Sequence, residues 1–173
     1  MPRLEVLITE QEIQNRVSEL AGQVSADYGD RKILLVGVLK GSYPFLADFS
    51  RHLGENIEVD FVQTSSYGNG NTSSGIVRIK KDLDVNIEGR DVLIVEDILD
   101  TGLTLSHLRE LLGTRRPRSL KVVTLLCKPA ALRHPAQAEY VGFEIPDKFV
   151  VGYGLDHAER YRNLPYIAVL HEE

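Results

Sequence analysis

The sequence predicts an α/β fold built on a mainly parallel sheet, and three observations carry that expectation. Short apolar runs at Ile33 to Leu39, Asp91 to Val95 and Leu120 to Cys127 have the continuous character of strands buried on both faces. Stretches with apolar residues at helical spacing alternate with them. Polar, glycine-containing turns follow the first two runs and open helical patterns.

Element by element, Thr9 followed by Glu12 has capping-box spacing, and Ile13, Val17, Leu20, Ala21 and Val24 then share one helical face. That helix should end near Tyr28-Gly29. The apolar run to Leu39 gives way to Lys40-Gly41-Ser42-Tyr43-Pro44, and Phe45, Phe49 and Leu53 begin a second helical pattern. Strands are expected over Ile57 to Ser65 and Ile76 to Lys80, joined by a polar stretch that reads as a mobile loop over about residues 65–75. Asp91 to Val95 is the next strand, Glu96 to Gly102 a polar turn, and Leu103 to Leu112 a helix with Leu105, Leu108 and Leu112 facing inward. After Lys128-Pro129 the pattern breaks into short segments at Tyr140 to Ile145, Phe149 to Val151 and Tyr166 to Leu170. No internal repeat or linker interrupts the chain, so residues 1–173 read as one domain with an irregular appendage from its two ends.

Composition narrows the function classes. Twenty Lys and Arg against 25 Asp and Glu give a net charge of −5, without the basic excess of a duplex-binding protein. The longest apolar run, Ile33 to Leu39, falls far short of the roughly 20 residues a membrane span needs. The first residues lack the order of a secretion signal, so a cytoplasmic location is expected. Cys127 is the one cysteine and reads as a small buried residue, and the five histidines show no metal-ligand spacing.

The most informative stretch is Val92-Leu-Ile-Val-Glu-Asp-Ile-Leu-Asp-Thr-Gly-Leu-Thr104. Ligands of open α/β sheets bind beyond the carboxyl ends of strands, where Glu96, Asp97 and Asp100 fall. Asp100, Thr101, Gly102, Leu103 and Thr104 form a turn into a helix, whose free backbone N–H groups make an anion site without any lysine. The plainer reading has Asp100 or Thr101 capping that helix while the other acids face solvent. Adjacent acids after a buried run repel one another, and a cation or sugar hydroxyls would relieve them. No P-loop or complete dinucleotide fingerprint occurs, and Asp97 and Asp100 are spaced wrongly for a dehalogenase-type phosphotransferase.

That motif resembles the phosphoribosyl-diphosphate (PRPP) motif of type I phosphoribosyltransferases. Leu39-Lys40-Gly41, Ser65-Ser66-Tyr67, Lys128-Pro129, Val141 to Asp156 and Arg162 extend the resemblance, in order and spacing, to the hypoxanthine-guanine branch. The resemblance implies the type I phosphoribosyltransferase fold, with a small hood made from the N-terminal residues and about 129–173. It implies purine salvage: transfer of ribose 5-phosphate from PRPP to N9 of hypoxanthine or guanine, giving IMP or GMP and pyrophosphate. On that pattern Asp100 acts as general base or acid near N7, and residues 100–104 hold the 5-phosphate. Glu96 and Asp97 hold the ribose hydroxyls and orient Mg2+, with Asp156 reaching a second metal ion through water. Lys128 selects the purine O6, Phe149 stacks on the base, and backbone groups of Val150 and Asp156 read its edge. Lys40, Gly41 and Arg162 bind pyrophosphate, the peptide before this lysine often being cis in the family, and Ser66 and Tyr67 lie on the closing loop. A homodimer or homotetramer is implied, with neither nucleic acid nor membrane as partner. A regulatory protein on the same fold, or an enzyme for another base such as xanthine, uracil or orotate, remains open at this stage.

Overall fold

A computed structural model of the chain describes residues 2–66 and 77–172. Along these residues run strands β1 (Arg3–Ile8), β2 (Ile33–Leu39), β3 (Ile57–Ser66), β4 (Val77–Lys81), β5 (Asp91–Leu99), β6 (Ser119–Cys127), β7 (Tyr140–Glu144), β8 (Val150–Val151) and β9 (Ile167–His171). The helices are α1 (Glu10–Tyr28), α2 (Tyr43–Arg51) and α3 (Leu103–Gly113).

Thr9 starts α1 as its spacing predicts: its hydroxyl accepts the Glu12 N–H, and the Glu12 carboxylate accepts the Thr9 N–H, each at 3.2 Å. The predicted stripe, with Tyr28 added, is the face of α1 that is buried. Six strands form the main sheet in the order β4-β3-β2-β5-β6-β7, parallel except for the β4 edge. Alternation along the buried strands divides their side chains between two layers. Leu35, Leu93, Val95 and Val123 pack in the cluster that holds α1 and α2 through Ile13, Leu20, Phe45 and Phe49. Leu34, Val36, Val92, Ile94 and Val122 belong with Leu105, Leu108 and Leu112 of α3 on the other face. Helices on both faces explain why these strands are continuous apolar runs.

Three segments depart from the sequence reading. The chain does not turn at Glu96: β5 runs on to Leu99, because Glu96, Ile98 and Leu99 still pair with Thr124, Leu126 and Cys127 of β6. Tyr140–Glu144, expected in the hood, instead extends the main sheet parallel to β6. Arg3–Ile8, expected only as part of the hood without a defined element, pairs antiparallel with β9, and β9 pairs with β8, giving a separate small sheet of order β1-β9-β8. The expected strand at Ile76 to Lys80 appears as β4, while Ile76 itself lies outside the described residues. No helix among the described residues is long and apolar enough to cross a membrane.

Candidate active site

The carboxyl ends of β2, β5 and β6 point to one side of the sheet, and the chemistry-bearing residues of the sequence gather there. Beyond β5 the turn at 100–102 leads to Gly102, the N-cap of α3, with φ of +87°. That left-handed geometry suits glycine, and a Cβ there would also sit 2.9 Å from Ala136 Cβ and 3.1 Å from the His134 carbonyl oxygen. The Arg133 and His134 N–H groups both donate to the Thr101 carbonyl, at 2.8 and 3.0 Å, fixing the turn against the segment after β6. Gly102 offers no side-chain cap; the Thr101 hydroxyl accepts the Leu103 N–H at 3.4 Å, while Asp100 makes no such bond, so capping accounts in part for Thr101 but not for Asp100. A cavity of about 260 Å³ opens here, lined by Gly41, Glu96, Asp97, Asp100 and residues 101–104. Backbone N–H groups at a helix start, with the positive end of its dipole, give this cavity an anion-binding wall.

Glu96 and Asp97, on the last part of β5, form the floor. Glu96 accepts the Asp97 N–H at 3.3 Å and Asp97 accepts the Ile98 N–H at 2.7 Å. Burial raises the pKa of both acids, Glu96 well above the ordinary carboxylate range with the neighbouring Asp97 charge adding to it. Asp97 is held lower by the hydrogen bond with Glu96 and, among further causes, the Arg162 charge. Gly41 approaches this floor so closely that a Cβ on it would lie 1.9 Å from Asp97 Oδ2. The Leu39–Lys40 peptide just before it is cis. Gly154, with φ of +100°, stacks in turn on the Gly41 carbonyl, leaving 1.9 Å for a Cβ of its own.

Two cations flank the turn after β2. Lys40 Nζ lies 3.4 Å from Glu159 Oε2. Arg162 donates to the Gly154 carbonyl at 2.7 Å, and its Nη2 lies 3.3 Å from Asp156 and 3.4 Å from Glu159. Asp156 also accepts the Glu159 N–H at 3.0 Å.

At the end of β6 the Lys128 N–H donates to the Leu99 carbonyl at 2.9 Å, and the side chain is only 8% exposed. Its ammonium stands 3.6 Å from Asp100 Oδ2 and 3.8 Å from Asp147 Oδ1. A smaller cleft of about 150 Å³ is lined by Asp100, Lys128, Phe149, Val150, Asp156 and Arg162. Asp97, Ile98 and Asp100 line both cavities, so the two are halves of one site. Phe149 is 52% exposed, which marks a ring outside the core.

The sequence-predicted residues thus converge, with Lys40 beside the site at its Gly41 rim. Of the loop pair, Ser66 ends β3 and Tyr67 lies outside the described residues. Sequence reasoning missed Asp147 and Glu159, which pair with the site's cations. Both are acids inside or next to the stretch that carried the resemblance, but spacing alone does not say which cation each meets.

Residues 7–158 match the family model of the phosphoribosyl transferase domain. The chain belongs to this family. It is 57% identical over 165 residues to the hypoxanthine-guanine phosphoribosyltransferase of Bacillus subtilis (strain 168), covering 95% of this chain and 92% of that protein. It is 54% identical to the bifunctional protein TilS/HprT of Listeria innocua, of which it spans 26%. Its structure is similar to a hypoxanthine phosphoribosyltransferase from Staphylococcus aureus with a TM-score of 0.93 at 50% identity, covering 96% of this chain and 91% of that one. The phosphoribosyltransferase fold is here of type I, a mostly parallel sheet with helices on both faces. The family's acidic motif therefore occupies the end of β5 rather than a free loop.

Proposed function

We propose that this phosphoribosyltransferase acts in purine salvage, moving the 5-phosphoribosyl group of PRPP to N9 of hypoxanthine or guanine. The observation that carries the reading is the buried Lys128 ammonium facing Asp100 in a cleft continuous with the α3 anion site. One half of the site suits a phosphorylated sugar and the other a flat base with a carbonyl.

The 5-phosphate would sit on the N–H groups of residues 101–104, with Thr101 and Thr104 hydroxyls as further donors. Glu96 and Asp97 accept hydrogen bonds from the ribose hydroxyls, each bond contributing about 0.5–1.5 kcal/mol and more where the carboxyl is ionised. Lys40, Gly41 and Arg162 receive the diphosphate, whose charge displaces Glu159 from the two cations it now meets. In the smaller cleft Phe149 stacks on the base and the backbone of Val150 and Asp156 reads its edge. An ammonium donates and cannot accept, so Lys128 favours a 6-oxo group and meets the 6-amino group of adenine donor to donor. The N9–C1 bond forms as the bond from C1 to the pyrophosphate oxygen breaks, and Asp100 takes the N7 proton.

The donor set suits Mg2+, which commonly binds through one or two carboxylates together with substrate phosphates. Among the described residues, the buried Glu96 and the half-buried Asp97 have no Lys or Arg ion pair, and no three metal-binding side chains converge there. They would hold the ion, with Asp156 reaching a second through water. Bound metal supplies charge neutralisation of the leaving pyrophosphate. The enzyme would work in the cytoplasm as a homodimer or homotetramer.

The test is formation of IMP from hypoxanthine, PRPP and Mg2+, with one pyrophosphate released per nucleotide. Failure to form a nucleotide from either hypoxanthine or guanine would overturn the reading.

A further inference from the structure

Among the described residues, Phe149 is the one aromatic ring lining the purine cleft, yet more than half of it is exposed, so core packing does not hold the ring in place. The ring also borders a second, outer cavity of about 310 Å³, shared with His157, Leu170 and Glu172. Without a restraint it has room to swing outward, away from a base.

His157 occupies that outer side. Its ring lies 5.5 Å from the Phe149 ring, centroid to centroid, at an interplanar angle of 85°, the edge-to-face arrangement that aromatic pairs favour. The imidazole is itself anchored. His157 and Arg160 exchange backbone hydrogen bonds at 3.1 and 3.0 Å across a tight turn, in which Ala158 and Glu159 take positive φ of 52° and 62°. On the far side Glu172 Oε1 lies 3.4 Å from His157 Nε2. The same terminal segment fixes the backbone of the ring it supports, because the Leu170 N–H donates to the Phe149 carbonyl at 3.0 Å.

We propose that His157 is a positioning residue for the purine site, holding the Phe149 ring across the cleft so that it is preset for stacking. The inference rests on the proposed stacking of the base on Phe149. A preset ring spares the base the cost of ordering it, so the effect falls on base affinity and not on the chemical step.

The experiment compares wild type, His157→Ala, His157→Phe and Phe149→Leu by steady-state kinetics with hypoxanthine and PRPP varied separately. His157→Ala should raise KM for hypoxanthine roughly two- to tenfold, the span set by one aromatic pair, with kcat and KM for PRPP unchanged. His157→Phe keeps the edge-to-face contact and should restore the wild-type KM. A normal KM in His157→Ala, an equal rise in both KM values, or failure of His157→Phe to restore would overturn the inference. Phe149→Leu separates the two layers of argument. A raised hypoxanthine KM there beside a normal one in His157→Ala removes only the positioning role, whereas a normal KM in both variants removes the stacking as well.

Discussion

At the scale of single residues, Asp100 carries the sharpest expectation. Its carboxylate faces both cavities and meets Lys128, and capping of α3 does not use it. Asp100→Asn keeps the shape and removes the base, so kcat for IMP formation should fall about 10²–10⁴-fold. PRPP affinity, measured by calorimetry, should change little, because the phosphate is held by backbone groups; a matching collapse of PRPP binding would contradict the role. Gly41 makes a steric prediction. A Cβ there would lie 1.9 Å from Asp97 Oδ2, so Gly41→Ala must push the acid or the turn aside. A displacement of this size near reacting groups costs on the order of 10²-fold in kcat/KM, which the same assay would detect. The sequence made the type of these residues legible but not their pairings: that Asp147 and Glu159 neutralise Lys128, Lys40 and Arg162 depends on loops meeting across the sheet.

Among the elements, α1 was readable almost to its ends because its signals are local. The Thr9 and Glu12 pair and the apolar stripe act within a few residues. Thr9→Ala should therefore cost about 1 kcal/mol of stability, seen as a lowered thermal midpoint with unchanged kinetics. The end of β5 is hidden from the sequence for the converse reason. Acids after Val95 look like a turn, and only pairing with β6 keeps Glu96 to Leu99 extended. That extension is what sets Glu96 and Asp97 in the floor of the site and places Asp100 at the start of the turn. The small sheet was equally hidden, since β1 finds its partner β9 at the other end of the chain and no local pattern announces such a pairing.

For the whole molecule, the excess of acids does not oppose a polyanionic substrate. Much of the acidity is spent in ion pairs away from the site, as where both oxygens of Asp82 accept from Arg115 at 2.8 Å. That hydrogen bond lowers the Asp82 pKa below the ordinary carboxylate value. A depressed folded-state pKa means the stabilisation is fully present above the unfolded value of about 3.9 and is lost as pH falls through the folded one. Asp82→Asn should thus lower the denaturation midpoint at neutral pH, and the gap to wild type should close on acidification below about pH 4. A gap that widened in acid would contradict the assignment.

The two layers of helices, the strand order and the loops at one sheet end serve a single arrangement, in which a phosphate cradle and a lysine-marked base cleft share Asp97 and Asp100. Base selection by Lys128 is the claim on which the proposed function turns. The most direct measurement is the ratio of kcat/KM for hypoxanthine to that for adenine, with PRPP and Mg2+, in wild type and in Lys128→Ala. The account predicts strong preference for hypoxanthine in the wild type and a ratio that collapses in the variant through loss of hypoxanthine turnover efficiency. An unchanged ratio in Lys128→Ala, or ready use of adenine by the wild type, would contradict it.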